Sequence, residues 1–173
     1  MIYIFGANIC KFCKKQVKYL ENTFGPDSDA WEYINVAGNN EAIKVAQNLN
    51  IENIPAIVVL DDEDNMLIKK EGTLPPDVIF NKIHKNNNIL PFSQEELKNK
   101  KISQKILSYD PFLKTGDKVS VRTYNNDHIC DMIVKKSIKY EVCSRNFSPK
   151  ELNLYSKSGG RKDLAWKVTL ETE

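Results

Sequence analysis

The sequence contains no long hydrophobic run. Its first apolar segment, Met1 to Phe5, follows no basic region and is far shorter than the roughly 20 residues that cross a bilayer. We therefore expect no signal peptide and no membrane partner, and we expect a cytoplasmic protein. A hydrophobic content of 41% and a charged content of 28% also exclude a disordered chain.

Arginine is scarce, with 3 residues against 22 lysines. This bias, together with frequent asparagine, is typical of an AT-rich genome such as that of a phage or a low-GC bacterium. The charge is also uneven, because residues 1–100 carry 11 basic and 14 acidic residues whereas residues 101–173 carry 14 and 9. A length of 173 residues suits one elaborated domain or two small ones.

The four cysteines occur without an export signal. Structural disulfides are rare in reducing compartments, so these cysteines are expected to be reactive, metal-binding or buried. Cys10 and Cys13 form a C-x-x-C pair, whereas Cys130 and Cys143 lie far from them in the sequence.

Residues 1–88 alternate between strand and helix patterns. Short apolar runs predict strands at 2–5, 31–36, 57–60 and 66–68, and apolar residues at helical spacing predict helices after Cys13, Asn39 and Pro75. The order β-α-β-α-β-β-α predicts an α/β domain with parallel strands in its sheet.

The C-x-x-C pair lies where the first predicted helix begins. Unpaired backbone N–H groups and the helix dipole stabilise an anion there by roughly 0.3–1 kcal/mol. Lys11, Lys14 and Lys15 add positive charge nearby. Cys10 is therefore at a position that favours the thiolate, which is the reactive form of cysteine.

Three features of residues 1–88 resemble the thioredoxin and glutaredoxin superfamily. The first is the C-x-x-C at a strand-to-helix junction. The second is Asn53-Ile54-Pro55-Ala56 before an apolar strand, which is similar to the family's cis-proline loop. The third is the succession from Glu41 to Gly72 of helix, Ile-Pro, apolar strand, acidic turn, strand and glycine.

The resemblance implies an enzyme, a thiol–disulfide oxidoreductase that needs no metal or organic cofactor. Cys10 would be the nucleophile that attacks a protein disulfide, Cys13 would resolve the mixed disulfide, and an external reductant would restore the dithiol. The substrate-binding residues implied by the resemblance are Lys11, Phe12, Ile54 and Pro55.

The chain departs from the family at three places. Ile9 stands where thioredoxins usually carry Trp, and Lys11-Phe12 stands where they carry Gly-Pro. The segment after the last strand keeps only Gly72 of the glutaredoxin Gly-Gly pair. We therefore do not expect glutathione binding, and Lys11-Phe12 indicates an altered potential or a particular partner.

Two alternatives to redox catalysis stay open. The pair could be half of a zinc site completed by His128, Cys130 or Cys143, but these spacings match no familiar zinc pattern, so no metal is expected. The other alternative is a non-catalytic adaptor, encoded for instance by a phage, that uses a thioredoxin-like scaffold to bind a host or replication protein.

Residues 89–112 are predicted to be a helical connector. Its helix, over about 94–107, begins at a capping box formed by Ser93 and Glu96. Residues 113–173 then show short alternating strands, which predict a small all-β domain, a barrel or sandwich resembling an SH3 fold. We thus predict three parts, with the thioredoxin-like domain at 1–88.

Inside the all-β part, the pattern predicts a hairpin that turns at residues 135–137 and pairs 134 with 140 and 132 with 142. It gives one apolar face to Cys130, Met132, Val134, Tyr140 and Val142. Cys143 would lie on the opposite face, so we expect no Cys130–Cys143 disulfide. A further strand is predicted over 152–156, before a turn at 158–160.

The basic charge of this domain suits an acidic partner. Side chains expected off the core face are Tyr124, Arg122, Arg145, Arg161 and Lys162. We expect the domain to select or tether a protein partner rather than nucleic acid, which has no motif here. A purely structural extension also stays open.

Overall fold

The computed structural model describes residues 1–142, 146–157, 159–161 and 163–173. The chain divides into two compact units, Met1–Leu74 and Pro75–Glu173. Within the described residues, each unit contains one sheet. The helix that begins at Pro76 lies in the second unit, so the predicted boundaries at 88 and 112 stay predictions about which segments fold independently.

The first unit contains four strands and two helices. They are β1 Ile2–Gly6, α1 Lys11–Phe24, β2 Trp31–Asn35, α2 Asn40–Asn48, β3 Ala56–Leu60 and β4 Met66–Glu71. The sheet order is β2-β1-β3-β4, with β1 parallel to β2 and antiparallel to β3, and β3 antiparallel to β4. The element order predicted for these residues is confirmed.

The two central strands are apolar on both faces, as expected for strands covered on both sides. Ile4 and Val59 are fully buried, and Phe5 and Val58 are 2% exposed. Ala46 of α2 packs in one cluster with Phe5 and Val58, so α2 covers one face of this sheet.

The buried face of α1 differs from the apolar stripe that the sequence predicts at Cys13, Val17, Leu20 and Phe24. Its buried residues are Cys13, Gln16, Leu20 and Thr23, whereas Val17 and Phe24 are only half-buried. Gln16 can be buried because its amide is satisfied: Nε2 donates to the Leu74 carbonyl oxygen at 3.0 Å and Oε1 accepts from the Leu74 N–H at 2.7 Å.

The second unit contains five strands and three helices among the described residues. They are α3 Pro76–His84, β5 Ile89–Phe92, α4 Gln94–Lys98, β6 Gln104–Leu107, β7 Lys118–Thr123, β8 His128–Glu141, α5 Pro149–Lys157 and β9 Leu164–Glu171. The sheet order is β5-β7-β8-β9-β6, with β5 parallel to β7 and the other pairs antiparallel.

The buried Asp77 side chain links α3 to the segment around Ser108 by a hydrogen bond. Asp77 is 6% exposed and accepts hydrogen bonds from the backbone N–H groups of Ser108 at 2.7 Å and Val78 at 2.8 Å. Burial raises the pKa of the Asp77 carboxyl, because it disfavours the charged form. Phe80 of the same helix packs edge-on against Tyr124, with ring centroids 5.7 Å apart.

The predicted helical connector is wrong in its second half. The capping box of Ser93 and Glu96 is present and starts α4, but this helix ends at Lys98. Residues Gln104–Leu107 form β6 and pair with β9. The buried Lys105 ammonium lies 2.9 Å from the Glu96 carboxylate, which compensates its burial in the strand.

The predicted hairpin within residues 130–142 is also wrong, because β8 is one continuous strand. Val134 pairs with Leu170 and Tyr140 pairs with Ala165, so both bond to β9 instead of to each other. The pairing shifts between Val134 and Lys136, which places a bulge where the turn was predicted.

The position of Cys130 is determined by β8. Met132 and Val134 are buried as predicted, and Cys130 is half-buried against the same core cluster. Cys143 lies outside the described residues.

Residues 152–156 are helical instead of forming the predicted strand. They lie in α5, whose Tyr155 is buried against Phe147 and Ala165. The described strands of this unit make one five-stranded sheet accompanied by helices, so the all-β prediction is wrong and the SH3-like architecture is not confirmed.

Candidate active site

Cys10 caps the N-terminus of α1. Its backbone is extended, with φ −79° and ψ 112°, and the Cys13 N–H donates to its Sγ at 3.1 Å. The first turn of α1 contains no acidic residue. In a reduced pair, the cap geometry and the free N–H groups of the helix end would stabilise a thiolate on Cys10, and no carboxylate in that turn would oppose it.

Cys10 and Cys13 form a disulfide, with their Cα atoms 5.2 Å apart. Cys10 is half-buried, whereas Cys13 is 0% exposed. Cys10 is therefore the member of the pair that another molecule can reach. This arrangement is compatible with a redox role.

Gly6 lets the end of β1 approach this disulfide. A Cβ at position 6 would lie 2.9 Å from Tyr33 Cε2 and 3.0 Å from both Cβ and Sγ of Cys13. These distances are too short for a real side chain, so glycine is needed here for packing. In the sequence, Gly6 is marked only as the residue after the strand predicted at 2–5.

The pairing of β1 with β3 brings the predicted substrate-binding residues Ile54 and Pro55 to the same end of the sheet as Cys10. Phe5, near the end of β1, pairs with Ala56, the first residue of β3. The loop from β1 to Cys10 and the segment Ile54-Pro55 that leads into β3 therefore lie at the same end of these two strands. The Ile54–Pro55 peptide bond is cis.

The surroundings of the disulfide are apolar and basic. Ile9 is 95% exposed, Phe12 59% and Ile54 37%. The Lys15 ammonium lies 5.5 Å from the centroid of the Phe12 ring, and Lys11 is exposed. Neither lysine forms an ion pair with a residue that the structure describes, so both charges remain available to a binding partner.

Glu71 is a site residue that the sequence did not reveal. Its Oε1 accepts from the backbone N–H groups of Glu52 at 2.6 Å and Asn53 at 3.1 Å, and its Oε2 accepts from Asn53 Nδ2 at 3.1 Å. These bonds lower the pKa of the Glu71 carboxyl and hold the segment that precedes Ile54. No local motif marks this role, since the bonded residues are 18 or 19 positions apart.

Of the residues considered for completing a zinc site, His128 and Cys130 lie in the second unit and Cys143 lies outside the described residues. His128 Nε2 lies 3.0 Å from the Asp131 carboxylate, and Cys130 is a free thiol. Among the residues described, no group of three or more His, Cys, Asp or Glu side chains is placed to hold a metal ion.

Part of the basic charge of the second unit is paired with acidic side chains. Arg161 lies 2.7 Å from Asp163, Lys167 lies 3.0 Å from Glu151, and further pairs are Lys118–Glu173, Lys135–Glu171 and Lys157–Glu95. Tyr124 is 8% exposed, so its predicted position off the core face is wrong. Arg145 and Lys162 lie outside the described residues.

No helix in the described part of the chain combines the length and apolar character needed to cross a bilayer.

Comparison with known proteins returned one structural likeness. Neither the scan against family models nor the search of curated proteins found a match. Among solved structures, a thioredoxin-fold protein from Helicobacter pylori is 19% identical, with 58% of this chain and 78% of that chain covered and a TM-score of 0.40. The interpretation of the site therefore depends on its own geometry.

Proposed function

We propose that the chain is a thiol–disulfide oxidoreductase whose first unit is a thioredoxin-like domain. The observation that carries the proposal is the Cys10–Cys13 pair at the N-terminus of α1, with one cysteine reachable and the other buried. The Ile54–Pro55 segment at the same end of the sheet supports it, because an extended substrate could pass beside the pair there.

The proposed cycle starts from the dithiol. The Cys10 thiolate attacks one sulfur of a protein disulfide, the substrate S–S bond breaks, and the leaving sulfur departs as a thiolate that takes up a proton. Cys13 then loses its proton and attacks the Cys10 sulfur, which releases the second substrate thiol and forms the Cys10–Cys13 disulfide. Two electrons pass to the substrate, and an external thiol reductant returns them.

The residues next to the pair have proposed roles in this cycle. Lys11 would attract acidic substrate segments, and Phe12 and Ile54 would cover apolar parts of the substrate near its sulfur atoms. Pro55 would position Ile54. The second unit would select or tether the protein partner. Because the cycle needs a reductant, a reducing compartment such as the cytoplasm would suit it.

The test is a disulfide-reduction assay on the wild type, Cys10→Ser and Cys13→Ser, with Cys130→Ser as the matched control. We expect Cys10→Ser to lose at least about a hundredfold in rate. Cys13→Ser should accumulate mixed disulfides, and Cys130→Ser should match the wild type because Cys130 packs in the core of the other unit. A wild type without turnover would overturn the proposal.

A non-catalytic adaptor is the second candidate, and the exposure of Ile9 and Phe12 favours it as much as catalysis. The trapping variant separates the two. A partner held by Cys13→Ser and released by a thiol reductant supports exchange. A partner that binds Cys10→Ser/Cys13→Ser equally well, and is not released by reductant, supports the adaptor.

A further inference from the structure

A cavity of about 410 Å³ lies in the first unit, between α1 and the edge strand β2. We call it the α1–β2 pocket, and its lining residues are Asn8, Lys14, Val17, Trp31 and Tyr33. Trp31 and Tyr33 are alternate residues of one strand and so project from the same face of β2. Because β2 has only β1 beside it, the pocket lies at the margin of the sheet.

The pocket adjoins the disulfide. Tyr33 Cε2 and Cys13 Sγ both lie about 3 Å from the position of a Cβ on Gly6, so the Tyr33 ring and the Cys13 sulfur both border Gly6. Lys14 directly follows Cys13, and Asn8 is two residues before Cys10. A group seated in the pocket would therefore be attached to a segment that passes the Cys10–Cys13 pair.

The lining defines what the pocket can hold. Val17, Trp31 and Tyr33 offer apolar and aromatic surface, and the volume falls in the range of about 300–1,000 Å³ typical of small-ligand sites. The Trp31 indole N–H is already used, since it donates to the Gly25 carbonyl oxygen at 3.3 Å. These walls suit an aromatic side chain, which prefers offset or edge-on contact with other rings.

Two polar groups in the pocket have no partner among the described residues. Lys14 forms no ion pair there, and the Tyr33 hydroxyl forms no hydrogen bond there. Burial raises the pKa of the Tyr33 phenol, so it stays protonated and can donate. An ammonium and a phenol donor together fit a carboxylate next to the aromatic ring.

We propose that the α1–β2 pocket is a specificity subsite for the protein substrate, which takes an aromatic side chain whose neighbour is acidic and so places the substrate disulfide against Cys10. The subsite deepens the proposed oxidoreductase function and rests on it. Lys14 pairs with the substrate carboxylate, and Trp31 and Tyr33 flank the ring.

The test uses short synthetic disulfide peptides that differ only near the cysteine. One series carries Trp-Asp at two, three or four residues from the cysteine on either side, and matched series carry Ala-Asp or Trp-Lys. In at least one spacing we expect kcat/KM to be about tenfold higher for Trp-Asp than for Ala-Asp. The small compound bis(2-hydroxyethyl) disulfide has no amino-acid side chains, so its rate of reduction measures thiol–disulfide exchange without a contribution from the subsite.

Three variants assign an observed preference to the pocket. Val17→Trp fills the cavity and should reduce the ratio between Trp-Asp and Ala-Asp peptides to about one, with circular dichroism as the check of folding. Lys14→Glu should reverse the preference between Trp-Asp and Trp-Lys peptides. Lys18→Glu makes the same charge change one turn further along α1, outside the pocket, and should leave both ratios unchanged.

Failure of the subsite and failure of the oxidoreductase function give different results. If the small disulfide is reduced but all peptides react equally, or if Lys18→Glu changes the preference as much as Lys14→Glu, the subsite is overturned. If no disulfide is reduced, the proposed function fails. In that case, the subsite is tested by measuring the affinity of peptides in which Ser replaces Cys. Binding that is weakened by Lys14→Glu and not by Lys18→Glu supports the subsite. Absence of binding overturns it.

Discussion

At the scale of single residues, the site depends on side chains that carry no sequence motif. Glu71 is the clearest example, since its carboxylate accepts three hydrogen bonds from Glu52 and Asn53 and so holds the segment before Ile54. A carboxylate whose pKa is lowered in the folded protein stabilises the fold above the ordinary glutamate pKa. That contribution is lost as the pH falls through the lowered value.

We therefore predict that the effect of Glu71→Gln on stability depends on pH. The wild type should be more stable than the variant at pH 7, and the difference should shrink as the pH falls below the ordinary pKa of 4.5. Urea denaturation at a series of pH values measures it. Glu52→Gln is the matched control, because Glu52 contributes its backbone N–H and not its side chain; a difference that does not change with pH would contradict the role of Glu71.

At the scale of elements, α1 shows how a polar residue can determine which face of a helix is buried. Gln16 lies between Cys13 and Leu20 on the buried face and binds both backbone polar groups of Leu74. Burial of the Gln16 amide costs little free energy because both its N–H and its oxygen are hydrogen-bonded. A buried backbone group of Leu74 without a partner would cost much more. The same contact ties the helix that carries the cysteines to the segment after β4.

We predict that Gln16→Met, which nearly conserves volume, lowers the free energy of unfolding by about 1–3 kcal/mol because it leaves the Leu74 N–H and carbonyl without partners. Urea denaturation of the oxidised protein measures the loss. Gln47→Met on α2 is the control: Gln47 is exposed, and its substitution should change stability by no more than about 0.5 kcal/mol. Equal effects of the two substitutions would contradict the role of Gln16.

At the scale of the whole molecule, the second sheet is assembled from segments far apart in the sequence. The edge strands β5 and β6 come from residues 89–107, and they flank β7, β8 and β9. A fragment that starts at residue 113 would lack both edges. One that starts at residue 89 would lack Asp77, which binds the Ser108 N–H, and Phe80, which packs on Tyr124.

We predict that residues 75–173 unfold in one cooperative transition when expressed alone, that residues 89–173 are less stable, and that residues 113–173 do not fold. Thermal unfolding followed by circular dichroism, with amide spectra by NMR, compares the three fragments. A cooperative transition in residues 113–173 would instead support the domain boundary predicted from the sequence.

The elements of the first unit could be predicted because their signals are local. A strand such as Ala56–Leu60 is one apolar run, and Asn39 caps α2 by accepting a hydrogen bond from the Ala42 N–H on its Oδ1 at 3.1 Å. The segments 104–107 and 152–156 could not be assigned in this way. Runs of four or five residues fit a helix or a strand equally well, so their conformation depends on partners elsewhere in the chain.

The sequence by itself determined the C-x-x-C pair: two cysteines one helical turn apart at a strand-to-helix junction are encoded within a dozen residues, and so is the positive end of the helix beside them. The tertiary structure alone decided that Cys13 is buried beside Gly6, that Glu71 holds the proline segment, and that Trp31 and Lys14 share a pocket. Those contacts join residues that are distant in the chain, and only the packing of helix on sheet brings them together.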